Sequence, residues 1–188
     1  MNQIGNENLT LLISESKLKQ RIKSLVKRIA HDLRGNELVV IGLLRGSFMF
    51  LSDLARMLYL QDIPLIIDFM IVSSYGSQTK SSGNVKLIRD ISVNIEGKNV
   101  LLIDDILDTG QTLNFVAKHL IDKKPALLKS CVFLNKTVPR TVDFKPDYVG
   151  FTVPDSFVVG YGLDYNGRYR ELPHISILSF EGKNYMED

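Results

Sequence analysis

Apolar residues at Leu18, Ile22, Leu25, Val26, Ile29, Ala30 and Leu33 recur at three- and four-residue steps and predict an amphipathic helix. Ser14 or Ser16 supplies its start signal and Gly35 its stop. Between the apolar positions stand Lys17, Lys19, Arg21, Lys23, Lys27, Arg28 and Arg34, a solvated face rather than a phosphate- or nucleic-acid-binding stripe. At Leu38–Leu44, LVVIGLL, the pattern changes to a short continuous apolar run, which suits a buried parallel strand. A second helix follows, with Leu51, Leu54, Ala55 and Leu58 on one face, and then a second apolar run, Leu65–Val72. Ser73–Asn84, SSYGSQTKSSGN, holds five Ser, two Gly and no aliphatic residue, and predicts a mobile loop with Val85–Ile88 as the return strand. Asn99–Ile103 is a third buried-type strand. A polar turn and a helix with Leu113, Val116, Ala117 and Leu120 on one face come next, then a strand at Leu127–Leu134 that ends at Asn135-Lys136. The rest is strand-and-turn material around Pro139, Pro146, Pro154 and Pro173, with Ile175–Leu178 as the last strand. Strands alternating with amphipathic helices predict an α/β fold: a doubly wound, mostly parallel sheet flanked by helices, with ligands at the carboxyl ends of its strands. No repeat or linker marks a second domain, so 1–188 is read as one domain.

Length and charge narrow the classes. The 188 residues are enough for one full core. Lys and Arg number 23 against 21 Asp and Glu, a net charge of +2, which excludes an overall electrostatic grip on nucleic acid or anionic lipid. The single Cys131 excludes an internal disulfide framework and fits a reducing compartment. The opening MNQIGNENLT has no basic region followed by an apolar run, and the longest apolar stretch, Leu38–Leu44, is far short of the ~20 residues of a membrane span. The expectation is a cytoplasmic protein with small-molecule substrates and no nucleic-acid or membrane partner.

The chemistry is concentrated in Val100–Leu113, VLLIDDILDTGQTL, a strand, a polar turn and a helix start. A helix N-terminus offers unpaired N–H groups and a positive dipole end to a phosphate. Thr109 and Thr112 add hydroxyl donors, and Gly110 lets the backbone come close to a ligand. Asp104 and Asp105, where the strand ends, can accept hydrogen bonds from sugar hydroxyls or hold a hard cation such as Mg²⁺. Helix capping alone also places Asp or Thr here. Three Asp within five residues exceed what a cap requires, and they repel one another without a cation or diol between them. No GxxxxGK[ST] run exists, which removes a P-loop nucleotide hydrolase.

This segment closely resembles the phosphoribosyl-pyrophosphate-binding motif of the type I phosphoribosyltransferases, and the Asp-Thr-Gly beginning at Asp108 resembles their hypoxanthine(-guanine) branch. The resemblance runs from the first helix to Ile177. Leu43-Leu44-Arg45-Gly46-Ser47 is similar to the family's pyrophosphate loop, which implies a cis peptide between Leu44 and Arg45; read alone, it is equally a strand-to-helix turn. Ser74-Tyr75 resembles the pair on the family's flexible lid, here at 73–84; read alone, it is surface loop. Lys136 matches the lysine that donates to the exocyclic oxygen of the purine. Phe157 matches the residue stacked on the base, and the backbone at Val158 and near Asp164 faces the base's Watson–Crick side. Asp164 also resembles a Mg²⁺-binding aspartate, and Arg170 an arginine that contacts pyrophosphate. Without the resemblance, Lys136 is a solvated charge, Phe157 and Val158 are core strand residues and Asp164 is a turn residue. Gln111 departs from the pattern, since many relatives carry a basic residue there. Phosphate binding then relies on backbone N–H groups, threonine hydroxyls and the helix dipole.

The resemblance implies a Mg²⁺-dependent enzyme that transfers the phosphoribosyl group of phosphoribosyl pyrophosphate to hypoxanthine, and also guanine, with a small hood built from terminal segments above the sheet. Asp108 accepts the purine ring proton. The 44–46 loop, Ser74, Tyr75, Asp104, Asp105, Asp108–Thr112 and Arg170 bind phosphoribosyl pyrophosphate. Lys136, Phe157, Val158 and Asp164 bind the purine, and Asp104, Asp105 and Asp164 are the metal ligands. Relatives form homodimers and homotetramers, and the same is expected here. A preference for xanthine or another base, or a regulator that senses phosphoribosyl pyrophosphate without turnover, remains open at this point.

Overall fold

The computed structural model describes residues 7–33, 35, 37–75 and 84–180. Its main sheet has six strands: β2 (Leu38–Leu44), β3 (Leu65–Tyr75), β4 (Asn84–Arg89), β5 (Asn99–Leu107), β6 (Leu127–Lys136) and β7 (Tyr148–Val153). Their order is β4-β3-β2-β5-β6-β7. All neighbours are parallel except β3 and β4. A second sheet pairs β1 (Glu7–Ile13) with β9 (Ile175–Phe180), and β9 with the short β8 (Val158–Val159). This is the hood, and it joins the two ends of the chain. No helix among the described residues is long and apolar enough to cross a membrane.

The continuous apolar runs form strands because both faces of the main sheet are covered. Leu38, Val40, Leu101, Ile103, Cys131 and Phe133 belong to one core, with α1 (Glu15–Leu33) and α2 (Phe48–Tyr59) packed on it. The alternate positions Val39, Ile41, Leu43, Val100, Leu102 and Val132 form the opposite core with α3 (Gln111–Ile121). The period of two along each strand therefore supplies both faces of the sheet. All seven apolar positions predicted for the first helix are buried. Its basic face is mostly exposed, but Arg21 is half-buried and donates from Nη2 to the Val149 carbonyl at 2.8 Å and from Nε to that of Gly150, tying α1 to β7.

Three boundaries differ from the sequence reading. β5 runs to Leu107, so Asp104 and Asp105 lie inside the strand and not in the turn after it. β3 and β4 extend into the segment read as loop: Ser73, Ser74 and Tyr75 pair with Lys86, Val85 and Asn84. A backbone ladder forms there without the apolar side chains that the pattern reading required. The rest of the expected lid, 76–83, lies outside the described residues. The strand β1 was not anticipated at all. Its apolar Leu9 and Leu11 are exposed edge positions, and its partner β9 lies at the other end of the chain.

Phe133 links the layers. It stacks on Phe50 of α2 at 4.4 Å between ring centroids and meets Phe151 at 5.6 Å and Tyr161 of the hood at 5.2 Å. Truncation of such a buried aromatic costs about 3–5 kcal/mol. Phe133→Ala should lower Tm by roughly 6–20 °C on the usual scaling of 2–4 °C per kcal/mol for a chain of this size. Thermal unfolding followed by circular dichroism checks it, and a shift of only a degree or two would mean that Phe133 does not link the layers.

Candidate active site

The parallel strands β2, β5 and β6 end on the same edge of the sheet, and their turns enclose a cleft of about 770 Å³. The 44–46 turn, the 104–112 segment and Lys136 all line it. Eleven of the residues singled out from the sequence thus share one cavity. The Leu44–Arg45 peptide is cis. Val72 of β3 reaches the same cleft, and the backbones of Ser74 and Tyr75 continue that strand.

The helix that begins at this cleft leaves its N-terminus open toward it. Gly110 is the N-cap of α3, with φ of +87°, and no side chain caps the helix. The first turn holds no acidic residue either. Capping by Asp108 or Thr109, an alternative for this segment, is therefore not what the structure uses. The first-turn N–H groups are left for a ligand, and Gln111 and Thr112 line the cleft beside them. α2, which begins next to the 44–46 turn, also lacks a side-chain cap and an acidic first turn.

Two carboxylates lie deep in the cleft. Asp104 is 8% exposed. Burial, and then the neighbouring charge of Asp105, hold its carboxyl well above the usual carboxylate range. Burial also raises Asp105, opposed first by its hydrogen bond with the Asp104 carboxyl and by backbone N–H donors, and last by the Arg170 guanidinium. Their remaining bonds are local: the Asp105 N–H donates to Asp104 Oδ1 at 3.0 Å and the Ile106 N–H to Asp105 Oδ1 at 2.9 Å. Hard oxygen donors that repel each other fit a ribose diol or a magnesium ion. Among the described residues no group of three or more His, Cys, Asp or Glu is placed to cage a metal. Asp164 in particular is held by Arg170 Nη2 at 2.7 Å and by the Gly167 N–H at 2.8 Å. Mg²⁺ is ordinarily bound by one or two carboxylates completed by phosphate oxygens and water, which this donor set suits.

Phe157, Val158, Asp164 and Arg170 belong to the hood side and do not line the cleft themselves. They are joined to it through a contact between two glycines. A Cβ on Gly162, where φ is +102°, would fall 2.0 Å from the Gly46 carbonyl oxygen, and one on Gly46 would fall 1.4 Å from Asp105 Oδ2. Arg170 Nη1 donates to the Gly162 carbonyl at 2.6 Å, so Asp105, the 44–46 turn and the Asp164–Arg170 pair form one connected group. Phe157 is half-exposed and meets Tyr165 edge-on at 5.7 Å. The Val158 side chain is buried in the hood, which leaves only its backbone to face a ligand.

Lys136 is only 13% exposed in its side chain, and its ammonium lies 3.6 Å from Asp108 Oδ2 and 3.2 Å from Asp155 Oδ1. Asp155, which also lines the cleft, was not found from sequence; beside Pro154 it reads as an ordinary turn residue. Arg140 and Thr141 were missed for the same reason. They lie on the segment that follows Lys136, where Thr141 donates its N–H and its hydroxyl to the Thr109 carbonyl, each at 3.2 Å.

The Asp104 environment has a consequence for stability. A carboxyl whose folded-state pKa is raised contributes stability below its unfolded value of about 3.9, and that contribution is lost as pH rises through the folded value. Asp104→Asn removes the penalised charge, and its amide oxygen can still accept the Asp105 N–H. In metal-free buffer without substrate, the variant should melt higher than the parent at pH 7–8, with the gap closing toward pH 4. A Tm difference that is flat with pH would contradict this assignment.

Residues 12–166 match the phosphoribosyl transferase domain family. The hypoxanthine-guanine phosphoribosyltransferase of Aquifex aeolicus is 49% identical over 176 residues, covering 93% of this chain and 97% of the relative. The hypoxanthine phosphoribosyltransferase of Salmonella typhimurium is 44% identical over 167 residues, covering 88% and 92%. The solved hypoxanthine phosphoribosyltransferase of Trypanosoma cruzi, in complex with the product IMP, superposes with a TM-score of 0.85 at 41% identity, covering 95% of this chain and 98% of that one. With the uncapped start of α3 and Lys136 beside Asp108 already in one cleft, these matches place the chain in the phosphoribosyltransferase family, among the hypoxanthine(-guanine) phosphoribosyltransferases.

Proposed function

We propose that this enzyme transfers the phosphoribosyl group of phosphoribosyl pyrophosphate to hypoxanthine, with guanine as a second substrate. The observation that carries the reading is the single cleft that joins the uncapped start of α3, the buried Asp104 with the half-buried Asp105 beside it, and the Asp108–Lys136 pair. The first-turn N–H groups of α3 and the hydroxyls of Thr109 and Thr112 hold the 5-phosphate. Asp104 and Asp105 accept hydrogen bonds from the ribose hydroxyls. The 44–46 turn and Arg170 face the pyrophosphate. Asp104 and Asp105 in the cleft, and separately Asp164 on the hood side, are the residues that would hold Mg²⁺, which when bound would supply positive charge against the departing pyrophosphate.

The purine end is shaped by Lys136, Phe157 and the Val158 backbone. Lys136 donates to the 6-oxo group and Phe157 covers a ring face. A purine ring nitrogen forms the bond to the anomeric carbon as the bond to pyrophosphate breaks, and its ring proton passes to Asp108. Charge develops on the ribose, so the protein acts mainly by positioning and electrostatics. The reading includes a cytoplasmic location, which suits the buried, unpaired Cys131. It also includes a homodimer or homotetramer; oligomeric state is a topic already raised for the Trypanosoma cruzi relative.

Ultraviolet absorbance on mixing enzyme, Mg²⁺, phosphoribosyl pyrophosphate and each base in turn tests the reading. Hypoxanthine and guanine should be consumed. Excess chelator should abolish turnover and added Mg²⁺ restore it. Full activity in chelator, or no reaction with any 6-oxopurine, would overturn it.

A charged donor to a buried acceptor contributes roughly 1.5–3 kcal/mol. Lys136→Gln should therefore lower kcat/KM for hypoxanthine about 10- to 150-fold while leaving the Kd for phosphoribosyl pyrophosphate nearly unchanged. Equal losses in both would remove Lys136 from base recognition.

A further inference from the structure

Arg140 lies in the segment after β6, outside every motif used above, and does not line the cleft. Its half-buried guanidinium nevertheless donates to acceptors on two neighbouring strand ends. Nη1 reaches the Leu107 carbonyl at 3.2 Å and also the Asp108 carbonyl. Nη2 reaches the Asn135 side-chain oxygen and, at 3.3 Å, the Lys136 carbonyl. The last ladder pair between β5 and β6 is Leu107 with Asn135. Beyond it β5 and β6 no longer pair with each other: Lys136 still pairs with Val153 of β7, while Asp108 lies past the end of β5. Pairing alone therefore does not set the separation of these two side chains, which stand 3.6 Å apart.

We propose that Arg140 is a positioning residue that fixes Asp108 against Lys136 by bridging the backbones that carry them. The inference rests on the roles given to Asp108 and Lys136 under the proposed function. A guanidinium suits the task because its donors form a rigid planar fork that serves two rows of acceptors at once. A lysine ammonium at the end of a flexible stem cannot span both. Arg140 does not itself line the cleft. It acts on the proton acceptor and the base-reading cation together, and so on the bond-forming step more than on phosphoribosyl pyrophosphate binding.

The test compares Arg140→Lys, Arg140→Ala and Asn135→Ala, with Asp108→Asn alone and combined with Arg140→Lys. Misplacing a reacting group by about 1 Å costs on the order of 10²-fold in rate. Arg140→Lys should lower kcat by roughly 10- to 100-fold on that scale, with the Kd for phosphoribosyl pyrophosphate, measured without purine, little changed. Asn135→Ala removes one acceptor and should show a smaller loss of the same kind, which keeps the test open if the arginine variants fold poorly. Millimolar guanidinium chloride should restore part of the turnover of Arg140→Ala. In the Asp108→Asn background the effect of Arg140→Lys on kcat should shrink, because the part exerted through Asp108 is already lost. Additive losses, or equal losses in turnover and phosphoribosyl pyrophosphate binding, would overturn the proposal. A slow Asp108→Asn beside an unchanged Arg140→Lys would overturn it alone. Near-wild-type turnover of Asp108→Asn would remove the role of Asp108 itself and this proposal with it.

Discussion

Between Gly46 and Gly162 there is no room for a Cβ, and much of the site depends on that contact. On one side of it the 44–46 turn lies against the Asp105 carboxylate; on the other the hood loop carries Asp164 and Arg170. A side chain at Gly162 would push the hood away from the carboxyl edge of the sheet, and one at Gly46 would displace the Asp105 carboxylate. Tyr161, beside Gly162, adds a second tie: its hydroxyl donates to Asp53 Oδ2 of α2 at 2.6 Å.

Around that contact the protein leaves several polar groups in states that do not favour folding. α2 and α3 both start without a side-chain cap, and a cap ordinarily contributes about 1 kcal/mol to a helix. Asp104 is buried beside another carboxyl. These departures from local optimum are gathered at the carboxyl ends of the parallel strands. Two carboxylates away from the cleft are well satisfied. Asp68 accepts from the N–H groups of Phe69, Ser92 and Val93, and Asp147 from the N–H and hydroxyl of Ser130 and from Lys129. Concentrated dissatisfaction of this kind marks a place where a ligand is the missing partner.

The parts legible in the sequence were those whose signal is local. The helical spacing from Leu18 to Leu33 and the apolar runs of β2, β5 and β6 follow from burial on one or both faces. The 104–112 segment was legible because three aspartates and a glycine at a helix start exceed any structural need. The extent of β3 and β4 was not, since Ser73, Ser74 and Asn84 enter the ladder through their backbones. β1 was hidden because its register partner lies at the far end of the chain and half its apolar residues face solvent. Asp155 and Arg140 act through side chains brought in by loops, where no period exists to point at them.

The pairing of Glu7 with Phe180 spans nearly the whole chain. Strands β2 to β7 find their neighbours over much shorter separations, while the hood requires both termini at once. During synthesis β1 emerges first and stays without its ladder partner until β9 leaves the ribosome. The turn after β5 takes shape before the hood strand that carries Val158 is paired. Closing so long a loop is entropically expensive and slow compared with local contacts. The catalytic edge is thus assembled in two instalments, and an unfinished chain exposes the strand β1 as an open edge that a neighbouring nascent chain can occupy.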